Sequence, residues 1–166
     1  MADKTLDTLF HETLKDIYYA ERKISTSLRK MARAAQTEEL KQAFQTHEEE
    51  TQHQYERLGQ VFEMIGKRPQ GKTCDAIEGI ISEAQEIMEE FKGSPAHDAG
   101  LLAAAQAVEH YEISRYGTLK TWAMQLGMDD AAKLLDQTLQ EEVATDEKLT
   151  KLAETVVNSA AQGNAA

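Results

Sequence analysis

Apolar residues recur along this chain at helical spacing. Turning each residue ~100° on from the last resolves the sequence into four long segments and one shorter one. From Thr5 to Ala34, the residues Leu6, Phe10, Leu14, Ile17, Ile24, Leu28 and Met31 fall on one narrow stripe. From Thr37 to Ile65, Leu40, Ala43, Leu58, Val61 and Ile65 share a face. Thr37 reads as the N-cap of that segment, with Glu38 and Glu39 in its first turn, and Gly66 as its stop, with Pro69 just beyond. A shorter amphipathic stretch runs from Cys74 to Phe91 and carries Ile77, Ile80, Ile81, Ala84, Ile87 and Met88. Ser94 and Pro95 fit the N-cap and first residue of a third long segment reaching Leu126, in which Leu101, Ala105, Val108, Leu119 and Ala123 align. Gly127 fits a C′ position and Asp129 the cap of a fourth long segment, which ends near Val157. The remainder, NSAAQGNAA, reads as a frayed end, so the domain is set at residues 1–158 with a flexible tail at 159–166.

The connections set the topology. Only a few residues join the first two long segments, and only a few join the last two, so each pair is expected to form an antiparallel hairpin. The middle connection is about thirty residues long and has a helix of its own. Two helical hairpins joined by one long crossover is the ferritin-like arrangement of the four-helix bundle. The expected fold class is therefore all-α. Val, Ile and Thr never cluster in alternating runs, which gives strands no support.

Several charged residues fall on the apolar stripes. Glu21 is centred in the first, between Ile17 and Ile24; Glu112 is centred in the third, and Glu142 lies in the fourth with Asp146 one turn on. In the second, His47 and Gln54 are central and Glu50 is inward at the edge. Counted from the turns near Ala35 and Gly127, Glu21, Glu50, Glu112 and Glu142 stand 14, 15, 15 and 15 residues away, at matching depth in two hairpins. An offset of 92 places Glu50 on Glu142 and Gln54 on Asp146, so the halves read as a repeat. Buried carboxylates without partners are costly, and no matching set of inward Lys or Arg is present. A pair of metal ions resolves the conflict. Taken singly, an inward Glu is more often a rim or interface residue, and His47 a satisfied core histidine. Glu109 is placed at the stripe edge, His110 pointing away, and the tyrosines, Tyr116 included, as packing residues.

Charge narrows the remaining choices. A formal charge of −11 argues against nucleic-acid binding, which needs clustered Lys and Arg. No apolar run approaches the ~20 residues that span a membrane, and the N-terminus lacks a signal layout. The single cysteine, Cys74, excludes an internal disulfide. A cytoplasmic protein is the expectation.

The runs QAVEHYEISRYGTL, HEEET with Gln54, EEVATDEKLT and CDAIEGIISEA together resemble the YciF-type bacterial stress proteins, and the resemblance extends over nearly the whole chain. It implies a ferritin-like fold, a role in stress response and a homodimer, with no agreed reaction. The wider ferritin and rubrerythrin pattern carries Glu-x-x-His on the second and fourth helices. Glu50 and His53 have that spacing, yet His53 points off the apolar face while His47 sits at its centre. The fourth segment has Thr145 where the second histidine belongs, with Asp146 as substitute. Glu109 resembles the additional helix-three glutamate of rubrerythrins.

The expected metal ligands are therefore Glu21, His47, Glu50, Glu112, Glu142 and Asp146, with His53 and Glu109 as further candidates; no catalytic residue is assigned. Oxygen-rich donors suit Fe or Mn better than Zn. The leading expectation is two such ions, with Glu50 and Glu142 bridging and Glu21 and Glu112 terminal, handling peroxide or O₂ with an external electron donor. The alternatives are a non-catalytic stress scaffold whose metal site has degraded, and iron sequestration in a cage.

Overall fold

The structure, a computed structural model, describes residues 3–163. Helix α1 spans Leu6–Ala34, α2 Glu38–Met64, α3 Asp75–Glu90, α4 His97–Gln125 and α5 Asp129–Leu152. The last continues through a widened turn, Ala153–Val157, into a short α6, Asn158–Ala161. No strand occurs among the described residues.

The turn chemistry works largely as read. Gly66 and Gly127 take φ of +67° and +73°, the left-handed region that closes a helix. Each is followed by a six-to-one bond, Lys67 N–H to the Phe62 carbonyl at 2.9 Å and Met128 N–H to the Ala123 carbonyl at 2.8 Å. Thr5 caps α1, accepting from the Thr8 N–H at 3.3 Å. Thr37 is the N-cap residue of α2, as read, but its side chain does not cap its own helix, and the starts of α4 and α5 differ from expectation. The Thr37 hydroxyl turns to Asp98 of α4, whose carboxylate also accepts the N–H groups of Gln36 and Thr37, all at 2.8 Å. One buried carboxylate from α4 thus caps α2 and ties the two ends together. Ser94 and Pro95 do not start α4: Ser94 closes a turn onto the Phe91 carbonyl at 2.9 Å, and Ala96 is the N-cap. Asp129 is the first residue of α5, capped by Met128. The expected tail is partly helical, Asn158–Ala161, held by the buried Val157; its residues 164–166 lie outside those described.

Each of the four long helices packs on two others, α1 on α2 and α4, and α5 on α2 and α4. Side-chain pairs fix the directions. Ser25 and Arg29 of α1 meet Glu48 of α2, while Tyr18 stacks on Tyr55 with ring centroids 4.4 Å apart. Lys120 meets Asp136 and Gln106 meets Thr150 across α4 and α5. In both pairs the numbers run in opposite senses, so the partners are antiparallel. α3 lies against α1 and α4, with Tyr19 hydrogen-bonded to Glu78 and Gly100 seated under Ile87.

Burial also shows the internal register. Adding 91 to the buried α2 positions Leu40, Phe44, His47, Thr51, Gln54 and Leu58 gives Ala131, Leu135, Thr138, Glu142, Thr145 and Leu149 of α5, all buried. The same offset pairs Glu21 with Glu112. The repeat is therefore real, but its offset is 91 rather than 92. Glu142 corresponds to Thr51, and Glu50 to Glu141.

Candidate metal centre

At mid-height the apolar core gives way to acid groups. Glu21, Glu109, Glu112 and Glu142 are each 0% exposed and His47 is 2% exposed. His47 comes from α2, Glu109 and Glu112 from adjacent turns of α4, and Glu142 from α5. One ligand atom from each of these four residues lies within 4.8 Å of the others. His47 Nε2 stands 2.8 Å from Glu109 Oε1 and 3.9 Å from Glu142 Oε2. The short approach is out of line for a hydrogen bond, and both atoms stay without a partner.

Glu21 of α1 lies beside this group and accepts a hydrogen bond from the buried Tyr116 hydroxyl. Gln54 donates to Glu142 and, at 3.2 Å, to Glu141. Burial first, and the charge of Glu142 second, push Glu109 and Glu112 well above the ordinary carboxyl range, and Glu21 up to about 8. Burial lowers His47 from its usual value, against the pull of Glu142 and Glu50. The site thus holds more acid than its surroundings stabilise in ionised form.

Of the expected ligands, the structure brings together His47, Glu112 and Glu142, with Glu21 alongside. Glu109 is no edge residue: it is wholly buried and makes the closest contact to the imidazole. Three others lie elsewhere. Asp146 turns to the outer side of the α4–α5 seam, with His110 Nε2 3.2 Å and Gln106 Nε2 3.3 Å away. His53 is exposed, in keeping with its place off the stripe. Glu50 is half-buried, accepts from the Thr145 hydroxyl at 3.1 Å, and lies outside the group of four. Tyr116, read as a packing residue, instead directs its hydroxyl at Glu21. Its signal was its place four residues, about one turn, beyond Glu112 on the same stripe. Cys74 is buried with Sγ 3.0 Å from the Tyr111 hydroxyl and is not one of the four grouped residues.

Whether this donor set fits a cation is decided by its unmet polar atoms. Among the described residues, ten buried side-chain N or O atoms have no hydrogen-bond partner, and eight belong to Glu21, His47, Glu109, Glu112 and Glu142. A structural polar network would use these lone pairs internally. Here both oxygens of Glu109 and Glu112 and both ring nitrogens of His47 remain open. The residues fit a hard or borderline cation with oxygen and imidazole ligands.

Fold and site together define an all-helical protein with a histidine–carboxylate cluster buried between its long helices. The chain belongs to the family described as "Domain of unknown function (DUF892)", which it matches over residues 5–162. It is 49% identical to Protein YciF of Escherichia coli K12 over 163 residues, 98% of either chain. The solved structure of that E. coli stress protein superposes with a TM-score of 0.89 at 50% identity, covering 94% of this chain and 99% of the other. YcfI of Rhodopseudomonas palustris, described as a candidate structural protein, superposes with a TM-score of 0.86 at 48% identity, covering 89% and 94%. No helix among the described residues is long and apolar enough to cross a membrane.

Proposed function

We propose that this chain is a ferritin-like stress protein that binds Fe or Mn in the core of a four-helix bundle. The observation that carries the reading is the concentration of unmet buried donors on five convergent side chains, eight of ten. His47, Glu109, Glu112 and Glu142 would hold the first ion, and Glu21, with Tyr116 holding one of its oxygens, extends the site towards a second. The bound metal would supply one-electron redox chemistry towards peroxide or O₂, with electrons from an external donor. The protein's own part is distinct. Gln54 fixes one oxygen of Glu142, Tyr116 fixes one oxygen of Glu21, and the surrounding core excludes bulk water. The acid groups release their protons as the cation enters, so loading consumes base.

Metal analysis of the full chain purified without chelators tests the reading. One to two equivalents of Fe or Mn are expected per chain, with loss of loading in Glu112→Gln combined with Glu142→Gln. Metal content that does not respond to the pair overturns it. Peroxide consumption by the loaded protein then decides between turnover and storage, and gel filtration separates the proposed homodimer from a cage.

A second reading is a non-catalytic stress scaffold. The outward turn of Asp146 favours it, because α5 then offers Glu142 alone to the site. It predicts a folded apo protein with protonated core glutamates and no bound metal.

A further inference from the structure

The seam between α2 and α5 contains the same arrangement twice, and the two copies are finished differently. Under the offset of 91, Gln54, Arg57 and Glu141 correspond to Thr145, Lys148 and Glu50. In the first copy, Gln54 bonds across the seam to Glu141 at 3.2 Å. Arg57 then bolts it: Nη1 reaches Thr138 at 2.7 Å and Glu141 Oε2 at 2.8 Å, and Nη2 reaches Glu141 Oε1 at 2.9 Å. The guanidinium side chain is only 13% exposed there. In the second copy the cross-seam bond persists, from the Thr145 hydroxyl to Glu50 at 3.1 Å. The bolt does not. Lys148 is exposed at the rim and forms no ion pair among the described residues.

The unbolted copy is open. A groove of about 340 Å³ lies over it, lined by Glu39, Thr46, His47, Glu50, Thr145 and Lys148 among others. His47 lies at its inner wall, 2% exposed, with neither ring nitrogen partnered. The rim and the cluster are in helical register: Glu50 is one turn from His47 on α2, and Thr145 one turn from Glu142 on α5. The outer pair thus stands directly over two of the inner ligands.

We propose that this α2–α5 window is the route by which a divalent cation reaches the buried cluster, with Glu50 as the first carboxylate it meets and Thr145 as the hydroxyl latch that holds Glu50 across the opening. The proposal rests on the metal-binding reading above. A cation arriving from solvent meets Glu50, and the exposed Glu39 of the same groove adds to the negative field that draws it in. Displacement of the weak Thr145 hydrogen bond frees a Glu50 oxygen to accept it, and His47 receives it next. A carboxylate at the mouth of a low-dielectric opening raises the local cation concentration and the on-rate, by ~10-fold or more. The bolted copy shows what closure looks like with the same backbone. Its acid is spent on Arg57, and its inner position is Thr138 rather than a histidine.

The test follows Mn²⁺ alone binding to chelator-stripped full-length protein, by loss of the free-ion EPR signal, with metal analysis at the end point. Thr145→Gln with Lys148→Arg copies the bolt into the open window. It is expected to slow uptake ~10-fold at an unchanged end point, as the charge-lined mouth is closed. Glu50→Gln is expected to slow uptake and to flatten its dependence on ionic strength. Far-UV circular dichroism and melting temperature check that both variants are folded. Uptake at the wild-type rate in both variants overturns the route, as does a lost end point at an unchanged rate, which would make the window residues ligands. Wild-type protein that takes up no Mn²⁺ overturns the metal reading itself, a result distinct from either.

Discussion

Glu112 is wholly buried, has both oxygens unpartnered, and titrates far above its ordinary range because of burial and then the charge of Glu142. Such a residue costs the metal-free protein stability, so its removal should improve stability and abolish the site. Glu112→Gln keeps the shape, removes the like charge, and offers an amide N–H₂ to the open oxygen of Glu142. The expected outcome is a gain of ~1 kcal/mol in the apo protein near pH 8, together with lost Fe or Mn loading. Thermal melts and metal analysis read both; a less stable variant that still loads metal would contradict the assignment. Much of this site was legible from single residues. Glu21, His47, Glu112 and Glu142 each break an apolar stripe, and all four are buried. Glu109 was misplaced because an ideal 100° wheel drifts from the 3.5-residue period of packed helices. On that period Leu102, Ala105, Glu109, Glu112, Tyr116 and Leu119 form one seam, and all are buried. Asp146 and Glu50 lie outside the group of four for a different reason: a repeat offset wrong by one residue moves a side chain ~100° around its helix. That error made Glu50 the counterpart of Glu142 instead of Glu141.

The elements themselves were read from periodicity and punctuation, and the helix order, the crossover helix and the two glycine stops were all there in the text. The helix starts were less legible, because α2 is capped by Asp98 from another element and no local motif can announce that. The face of α4 that receives α3 was also hidden. Its glycine, Gly100, ends the first turn of α4, where alanine would ordinarily be better by up to ~1 kcal/mol. The packing explains it: a Cβ built there would lie 2.5 Å from Cγ2 of Ile87. Gly100→Ala is therefore expected to destabilise the protein by ~1–3 kcal/mol, the usual cost of overpacking, despite its gain in helix propensity. In an Ile87→Ala background the same change should stabilise by up to ~1 kcal/mol, since only the propensity gain remains. A chemical-denaturation cycle on the four proteins measures the reversal; a destabilisation of equal size in both backgrounds would place the clash elsewhere.

At the scale of the whole molecule, two sets of carboxyls oppose each other in pH. Glu21, Glu109 and Glu112 are raised in the folded protein, Glu21 from 4.5 to about 8. Stability linked to a raised group is fully present below its unfolded pKa and is lost as pH rises through the folded one. Glu141, paired with Arg57, and Asp98, holding the start of α2, are lowered. Their contribution is present above their unfolded pKa values and disappears as pH falls through the folded ones. The metal-free protein should therefore be most stable in mildly acid solution, near pH 5. Its melting temperature is expected to fall by ~5 °C or more on the way to pH 8.5, as the core glutamates are driven to ionise against one another. Bound metal reverses the slope on that side, because it binds the deprotonated carboxylates and the neutral imidazole, so its affinity rises with pH. The difference in melting temperature between loaded and stripped protein should then widen steadily from pH 5 to 8.5. Scanning calorimetry of both forms across that interval reads the two slopes. A stripped protein whose stability is flat or rising over it would show that the core glutamates are already satisfied without a cation, and the case for a metal centre would fall with that result.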